Sequence, residues 1–184
     1  MASGREKELA LLFKSLAYAA HKHRDQRRKD RAGSTYINHP IALAKVLVTN
    51  GRVTDVTVLC AALLHDTLED TATTRRELRR SFGPRIAAIV AEVTDNKRLK
   101  KATRKRLQIE RAARVSHAAK LVKLADKICN LRDVVRRPPA RWDLRRRREY
   151  FDWAKRVIDR LRGAPDVSMR KLESAFDAAY ARKP

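Results

Sequence analysis

Four ionisable side chains crowd the end of an apolar run in Leu63-Leu64-His65-Asp66-Thr67-Leu68-Glu69-Asp70. A core-facing segment seldom carries so much charge, because burying an ion is costly unless it is paired or bound to metal. On a continuous helix His65 lies above Glu69 and Asp66 above Asp70, so an imidazole and three carboxylates line two adjacent edges. Such a cluster can hold a divalent cation and activate a water. The competing reading is a solvated helix end, which would be the better account of an isolated His-Asp pair.

Three dispersed residues shift that balance. His39 stands just before Pro40, where a helix starts and the ring can point inward. Asp126 sits in Leu124-Ala125-Asp126-Lys127-Ile128, an acid inside an otherwise apolar helical period, and Asn130 follows at i+4 on the same face. Each alone has a structural explanation: a cap for His39, a lysine partner for Asp126, a carbonyl for Asn130. Together they form an ordered pattern of His, His-Asp and a distant Asp. Two imidazoles and two carboxylates make a mixed nitrogen and oxygen site with two open positions, which suits octahedral Mn²⁺ better than tetrahedral structural Zn²⁺. A hydrolytic site needs those positions for water and for a phosphate oxygen.

The elements that must position these groups are helices. Leu9, Leu12, Phe13, Leu16, Ala17 and Ala20 form one stripe, predicting a first helix from about Glu6 to His23. A basic connection, Arg24 to Asn38, leads to a second helix with Pro40 at its first position; it carries Ile41, Ala44, Leu47 and Val48 at helical spacing, and Gly51 stops it. Thr54 or Asp55 caps a third helix ending near Thr67 or Leu68. Thr71 to Thr74 opens a short helix to Phe82-Gly83, and Pro84 starts the next through Val93. Asp95 to Thr103 reads as a basic loop, and Arg104 to Arg114 as weakly helical. Ser116 starts a strong helix through Leu131. Pro138-Pro139 breaks the chain before a long helix, Ala140 to Leu161, with Leu144, Phe151, Ala154, Val157, Ile158 and Leu161 inward. Gly163-Ala164-Pro165 ends it, and Val167 to Tyr180 forms the last. The expectation is an all-α fold, one bundle of roughly 8–10 helices, without internal repeats or a domain linker.

Length and composition agree. The chain has 184 residues, 43% of them hydrophobic, with only five Gly and six Pro. That suits one domain with a real core and argues against sheet or disorder. The apolar run Val58 to Leu64 is far too short for a membrane span, and the first residues lack the apolar stretch of a signal peptide. Cys60 and Cys129 sit among apolar neighbours at helical spacing, as reduced core thiols do. A cytoplasmic protein is expected.

The charge is unusual: 44 Lys and Arg against 21 acids, a formal net of +23. An anionic partner is implied. Nucleic acid is the default for such a composition. However, four Phe, four Tyr and two Trp show no aromatic-basic alternation for stacking bases. A polyphosphorylated small molecule fits the charge equally well.

At this point a resemblance emerges. The pattern His39, His65-Asp66 and Asp126 resembles that of the HD-domain metal-dependent phosphohydrolases. Gln26-Arg27-Arg28-Lys29, Tyr36-Ile37-Asn38-His39-Pro40, the run Ala61 to Asp70, and Lys123-Leu124-Ala125-Asp126-Lys127 are similar to the hydrolase domain of the Rel/Spo alarmone enzymes. The stand-alone small alarmone hydrolases, including the metazoan SpoT homologues, are closer still. Val93 to Lys97, Arg104 to Gln108 and Asn130 to Asp133 extend the likeness over roughly residues 17–161, leaving 162–184 as a closing helix.

The resemblance implies hydrolysis of the 3′-pyrophosphate of guanosine tetra- or pentaphosphate with one Mn²⁺ per site. His39, His65, Asp66 and Asp126 would be metal ligands. Glu69 and Asp70 would orient and deprotonate water, and Arg28, Lys29 and Asn130 would contact substrate. Thr35 stands where the family often has Pro, and Asp133 replaces the Thr of long Rel/Spo enzymes, in agreement with the small hydrolases. Those long enzymes add a synthetase domain for which there is no room here.

Three rivals remain. A different nucleotide, such as the 2′-phosphate of NADPH, would use the same metal and carboxylates. A basic nucleic-acid-binding helical domain with a vestigial site is favoured by charge and opposed by the intact ligand set. An inert alarmone sensor would require loss of Glu69 or Asp70. No specific nucleic acid and no membrane are expected as partners, and self-association is left open.

Overall fold

The apolar run that precedes His65 becomes the centre of the molecule: every residue from Val58 to Leu64 is buried. In the computed structural model, which describes residues 3–163 and 166–184, ten α-helices and one 3₁₀ turn wrap around that run. They are α1 (Gly4–Lys22), α2 (Asn38–Thr49), α3 (Val56–Leu64), α4 (Thr67–Asp70), α5 (Arg75–Phe82), α6 (Pro84–Val93), α7 (Lys101–Arg111), α8 (His117–Arg136), α9 (Leu144–Asp159) and α10 (Val167–Tyr180). No strand occurs among the described residues, and an isolated bridge pairs Arg27 with Thr35. The all-α expectation holds.

Two helices hold the bundle together. α3 packs against α1, α2, α6 and α8, while α8 packs against α2, α3, α6, α9 and α10. Both are nearly surrounded, which is why α3 is apolar on all sides and α8 buries eleven side chains. Residues from most of the helices, such as Leu43, Leu64, Leu124, Ile128, Phe151 and Phe176, join one continuous core. Each fully buried side chain of this size contributes about 1.5–3 kcal/mol.

Local signals set the boundaries. The hydroxyl or carboxylate of Ser3, Asp55, Thr74, Ser116, Asp143 and Asp166 accepts from a backbone N–H in the first turn of its helix. Gly83 ends α5 at φ 86°, a conformation costly for side chains with a Cβ, and Pro84 begins α6.

The structure revises several expectations. On α1 the inward positions are Ser15 and Ala19, while Leu9 and Phe13 stay 48% and 65% exposed. On α2, Leu43, Val46 and Leu47 point inward and Ile41 and Val48 outward. In both helices the face that packs on α3 is rotated from the apparent apolar stripe. Pro40 occupies the third helical position, where its missing N–H is still one of the unsatisfied group. α7 starts at Lys101, inside the expected loop. α9 starts at Leu144, capped by Asp143, and Leu144 is exposed. The expected stop at Gly163-Ala164-Pro165 falls partly outside the described residues; Ala164 and Pro165 are not among them.

Candidate active site

α3 does not continue through His65. It ends at Leu64, and after the two-residue turn His65-Asp66 the short α4 begins. Asp66, at φ −97° and ψ −2°, has left helical geometry. The Thr67 hydroxyl, wholly buried, donates to the Leu64 carbonyl at 2.7 Å, satisfying the end of α3. The expected continuous helix is therefore corrected to two short ones. The break lets the imidazole and the Glu69-Asp70 pair aim into one cleft from different directions.

Each imidazole is oriented by its own element. His65 is 5% exposed, and its Nδ1 donates to the Ala62 carbonyl at 2.9 Å, which turns Nε2 toward the cleft. His39, at the second position of α2, is 4% exposed. Its Nε2 lies 3.2 Å from Asp126 Oδ1. From α8, Asn130 Nδ2 donates to that same oxygen at 2.6 Å, and Lys127 Nζ lies 2.9 Å from Asp126 Oδ2. Ligand atoms of His39, His65 and Asp126 all fall within 4.8 Å of one another. Mutual packing of α2, α3 and α8 creates this convergence.

Asp66 stands beside the triad rather than within it. Its Oδ2 is 2.8 Å from His65 Nε2 and also accepts from the Tyr36 hydroxyl. Burial opposes ionisation of both groups, yet their attraction prevails: His65 is pushed up to about 9, and Asp66 is held below the usual carboxylate range. Burial holds the His39 imidazole down. His65 Nε2 and His39 Nδ1 make no hydrogen bond among the described residues. Two buried imidazoles whose Nε2 atoms face the Asp126 and Asp66 carboxylates match the donor set of a divalent cation.

The two acids of α4 face opposite cations. Glu69 Oε2 accepts from the Asp95 backbone N–H at 3.0 Å, and Oε1 lies 3.4 Å from Arg104. Asp70 pairs with Lys97 and accepts from Tyr36 at 3.3 Å. Burial raises the Glu69 carboxyl, helped by the nearby Asp95, Asp66 and Asp70 carboxylates. Gln26 Nε2 donates to the Asp70 carbonyl, tying the basic loop to α4.

That loop is folded back on itself. The Arg28 N–H donates to the Ser34 carbonyl at 2.8 Å, the Tyr36 N–H donates to the Gln26 carbonyl at 3.2 Å, and Gly33 turns at φ 59°. Arg28 is thereby placed over the Tyr36 ring, with NH2 3.2 Å from Asn130 Oδ1 and 2.9 Å from Asp133 Oδ2. Asp133 thus anchors Arg28. Lys29 is exposed at the cleft edge, where its carbonyl accepts from the Ala140 N–H.

Comparison with known proteins settles the family. The sequence profile described as HD domain matches residues 15–151, most of the chain. The chain belongs to the HD domain family. It is 52% identical over 167 residues to guanosine-3′,5′-bis(diphosphate) 3′-pyrophosphohydrolase MESH1 of Danio rerio, covering 91% of this chain and 93% of that protein. It is 49% identical over 176 residues to the MESH1 of Homo sapiens, covering 96% of each. A solved structure described as "A metazoan ortholog of SpoT hydrolyzes ppGpp and plays a role in starvation responses" superposes with a TM-score of 0.85. Its identity is 48%, over 92% of this chain and 95% of that one.

In this HD domain all nine residues singled out in the sequence line two adjoining cavities. One, of about 350 Å³, is lined by His39, His65, Asp66, Glu69, Asp70 and Asp126. The other, of about 290 Å³, opens between Arg28, Tyr36, Asn130, Asp133 and Trp142. Lys29 borders both.

Several site residues escaped the sequence reading. Tyr36 links Asp66 to Asp70, Lys97 and Arg104 hold the α4 acids, and Lys123 borders the cavity lined by His39 and His65. Trp142, Tyr150 and Trp153 form an aromatic row with ring centroids 5.3 and 5.4 Å apart. Arg146 sits over Trp142, and both Lys105 and Lys127 over Trp153. The row is assembled by the fold from residues that do not alternate along the sequence. Its only trace in the sequence is the i, i+3 spacing of Tyr150 and Trp153. No described helix is long and apolar enough to cross a membrane.

Proposed function

We propose that this protein hydrolyses the 3′-pyrophosphate of guanosine 3′,5′-bis(diphosphate), and of the pentaphosphate, to GDP or GTP and pyrophosphate. The buried convergence of His39, His65 and Asp126 beside the Glu69-Asp70 pair carries this reading. Its named relatives, identical at half of the aligned positions, are enzymes of that activity.

His39, His65, Asp66 and Asp126 would hold one divalent cation, Mn²⁺ by the mixed nitrogen and oxygen donor set. Once bound, such a cation supplies Lewis acidity toward phosphate oxygens and lowers the pKa of water. Glu69, whose burial raises its proton affinity, takes the proton of the attacking water. Asp70, held by Tyr36 and Lys97, orients that water. The water oxygen bonds to the phosphorus next to the ribose 3′ oxygen, the phosphorus–ribose oxygen bond breaks, and the ribose oxygen ends as a hydroxyl. Arg28 and Asn130, already bonded to each other beside Asp126, place the nucleoside in the adjoining cavity, and Lys29 offers a point charge at its edge.

The substrate is a small anion, and the excess of cations serves its attraction rather than recognition of a specific nucleic acid. The two buried cysteine thiols fit a cytoplasmic protein. The deciding experiment is turnover of guanosine tetraphosphate by purified protein after chelation and after addition of Mn²⁺ or Zn²⁺, with products identified by chromatography. Chelation should abolish turnover and Mn²⁺ should restore it better than Zn²⁺, releasing GDP and pyrophosphate. A higher kcat/KM for releasing phosphate from NADPH would overturn the alarmone assignment, and undiminished turnover by metal-free His65→Ala would overturn the metal site.

A further inference from the structure

Asp95, Gln108 and Lys123 form a wall of the hydrolytic cavity, and the same three residues line a second cavity of about 310 Å³ on their other side. Arg104, Arg111, Arg114 and Glu92 add its other charged groups, and Thr94 and Asn96 its neutral polar ones. None of the residues assigned above to metal or substrate borders it.

The polar groups of this cavity are unevenly satisfied. Its acids are engaged: Glu92 accepts from the Ser116 backbone N–H, and Asp95 accepts from Gln108 Nε2 at 2.6 Å. Its cations are not. Lys123 is 9% exposed and has no hydrogen bond or ion pair among the described residues. The nearby charges acting on it are the like charge of Lys127 and, more remotely, Asp95, Asp126 and Glu69. Arg104 reaches Glu69 through NH1, but its buried Nε lacks a partner. Arg111 and Arg114, exposed at the mouth, are unpaired among the described residues. Burying an unpaired ammonium is unfavourable unless something outside the chain compensates it. A row of cations from Lys123 outward to Arg114 calls for an anion with more than one phosphate.

We propose that this cavity is a diphosphate site, in which inorganic pyrophosphate leaving the hydrolytic cavity past Lys123 is held by Lys123, Arg104, Arg111 and Arg114. The identity of the anion as product rests on the hydrolase reading; the preference of the cavity for a diphosphate does not. Separating the product from the nucleotide cleft prevents it from competing there with the next substrate.

The test is calorimetric titration of the full chain, kept metal-free with chelator, with inorganic pyrophosphate, orthophosphate and GDP. Pyrophosphate should bind more tightly than orthophosphate. Replacing both mouth residues, Arg111→Ala with Arg114→Ala, should weaken it about tenfold or more, as expected for losing charge-assisted hydrogen bonds. Arg28→Ala, outside the lining of this cavity, should leave pyrophosphate binding unchanged and weaken GDP. Lys123→Met should weaken pyrophosphate alone. In turnover assays the double variant should keep its KM for nucleotide while its inhibition constant for pyrophosphate rises in step. Absence of pyrophosphate binding overturns the proposal. So does binding that is lost in Arg28→Ala but retained in the double mouth variant, because the anion then occupies the nucleotide cleft. Loss of GDP binding along with pyrophosphate in the mouth variant assigns the cavity to a nucleotide and also overturns it. Calorimetry requires no turnover, so a failed hydrolase assay leaves this result independent.

Discussion

Replacing Lys123 with methionine should make the metal-free protein more stable, an unusual outcome for a buried site. Lys123 lies in the middle of α8 at 9% exposure, among groups that do not contact it. Burial, reinforced by the charge of Lys127, outweighs the attraction of Asp95, Asp126 and Glu69 and brings its ammonium from the ordinary 10.5 down to about 8. That difference corresponds to roughly 3 kcal/mol against the folded state at neutral pH. Below pH 8 both folded and unfolded chains carry the proton and the full penalty applies. Between 8 and 10.5 the folded chain sheds it first and the penalty shrinks; above 10.5 both are neutral and it is gone. Methionine keeps the length and the apolar stem without the charge. Lys123→Met should therefore gain roughly 2–3 kcal/mol at pH 7, or about 5–10 °C in Tm for a domain of this size. The gain should fade as pH rises. Urea unfolding at several pH values in chelator, followed by the fluorescence of Trp142 and Trp153, measures it. Groups remote from position 123 titrate alike in both proteins and cancel in the difference. A variant less stable at pH 7, or a gain equal at every pH, refutes the reasoning.

Glu69→Gln and Asp70→Asn should each lower kcat by roughly 10²-fold or more while metal content measured by atomic absorption stays near wild type; joint loss of metal and fold would make these acids ligands or structural groups. Because Glu69 must be ionised to accept a proton and burial raises its proton affinity, activity should fall on the acid side at a pH above the ordinary carboxylate range. Steady-state kinetics of Arg28→Ala should show KM raised more than kcat is lowered, since its contact is made in both the bound and transition states. Gly51→Ala should cost about 1–3 kcal/mol in urea unfolding at unchanged m, because an added Cβ would sit 2.8 Å from the Leu47 carbonyl oxygen and 3.0 Å from Leu172 Cγ.

Much of the site was legible in one dimension because metal chemistry tolerates few residue types. His39, His65-Asp66 and Asp126 had little reason to occupy apolar contexts otherwise, and the folded chain brings three of them within reach of one another. Cap residues marked the starts of α3, α5 and α8, since the unsatisfied N–H groups of a first turn need a side-chain oxygen wherever the helix lies. The faces of α1 and α2 were misread because an exposed Phe13 and a buried Ala19 contribute in opposite senses to any hydrophobic period. The bend at His65-Asp66 had no signal either: no Gly or Pro marks it, and a buried Thr67 hydroxyl makes it.

Residue type and spacing alone, then, already determined the helical class and the capped starts of α3, α5 and α8, and singled out the residues that gather in the cleft. Those properties depend on neighbours within a turn or on which atoms can donate to a cation. Only tertiary packing decided that His39 on α2 meets Asp126 on α8 across 87 positions of chain and that Lys97 and Arg104 face the α4 acids. It also left Lys123 unpaired between two cavities. The strength of a charge inside a protein depends on the distance and solvation of every group around it, and these exist only once the chain has folded.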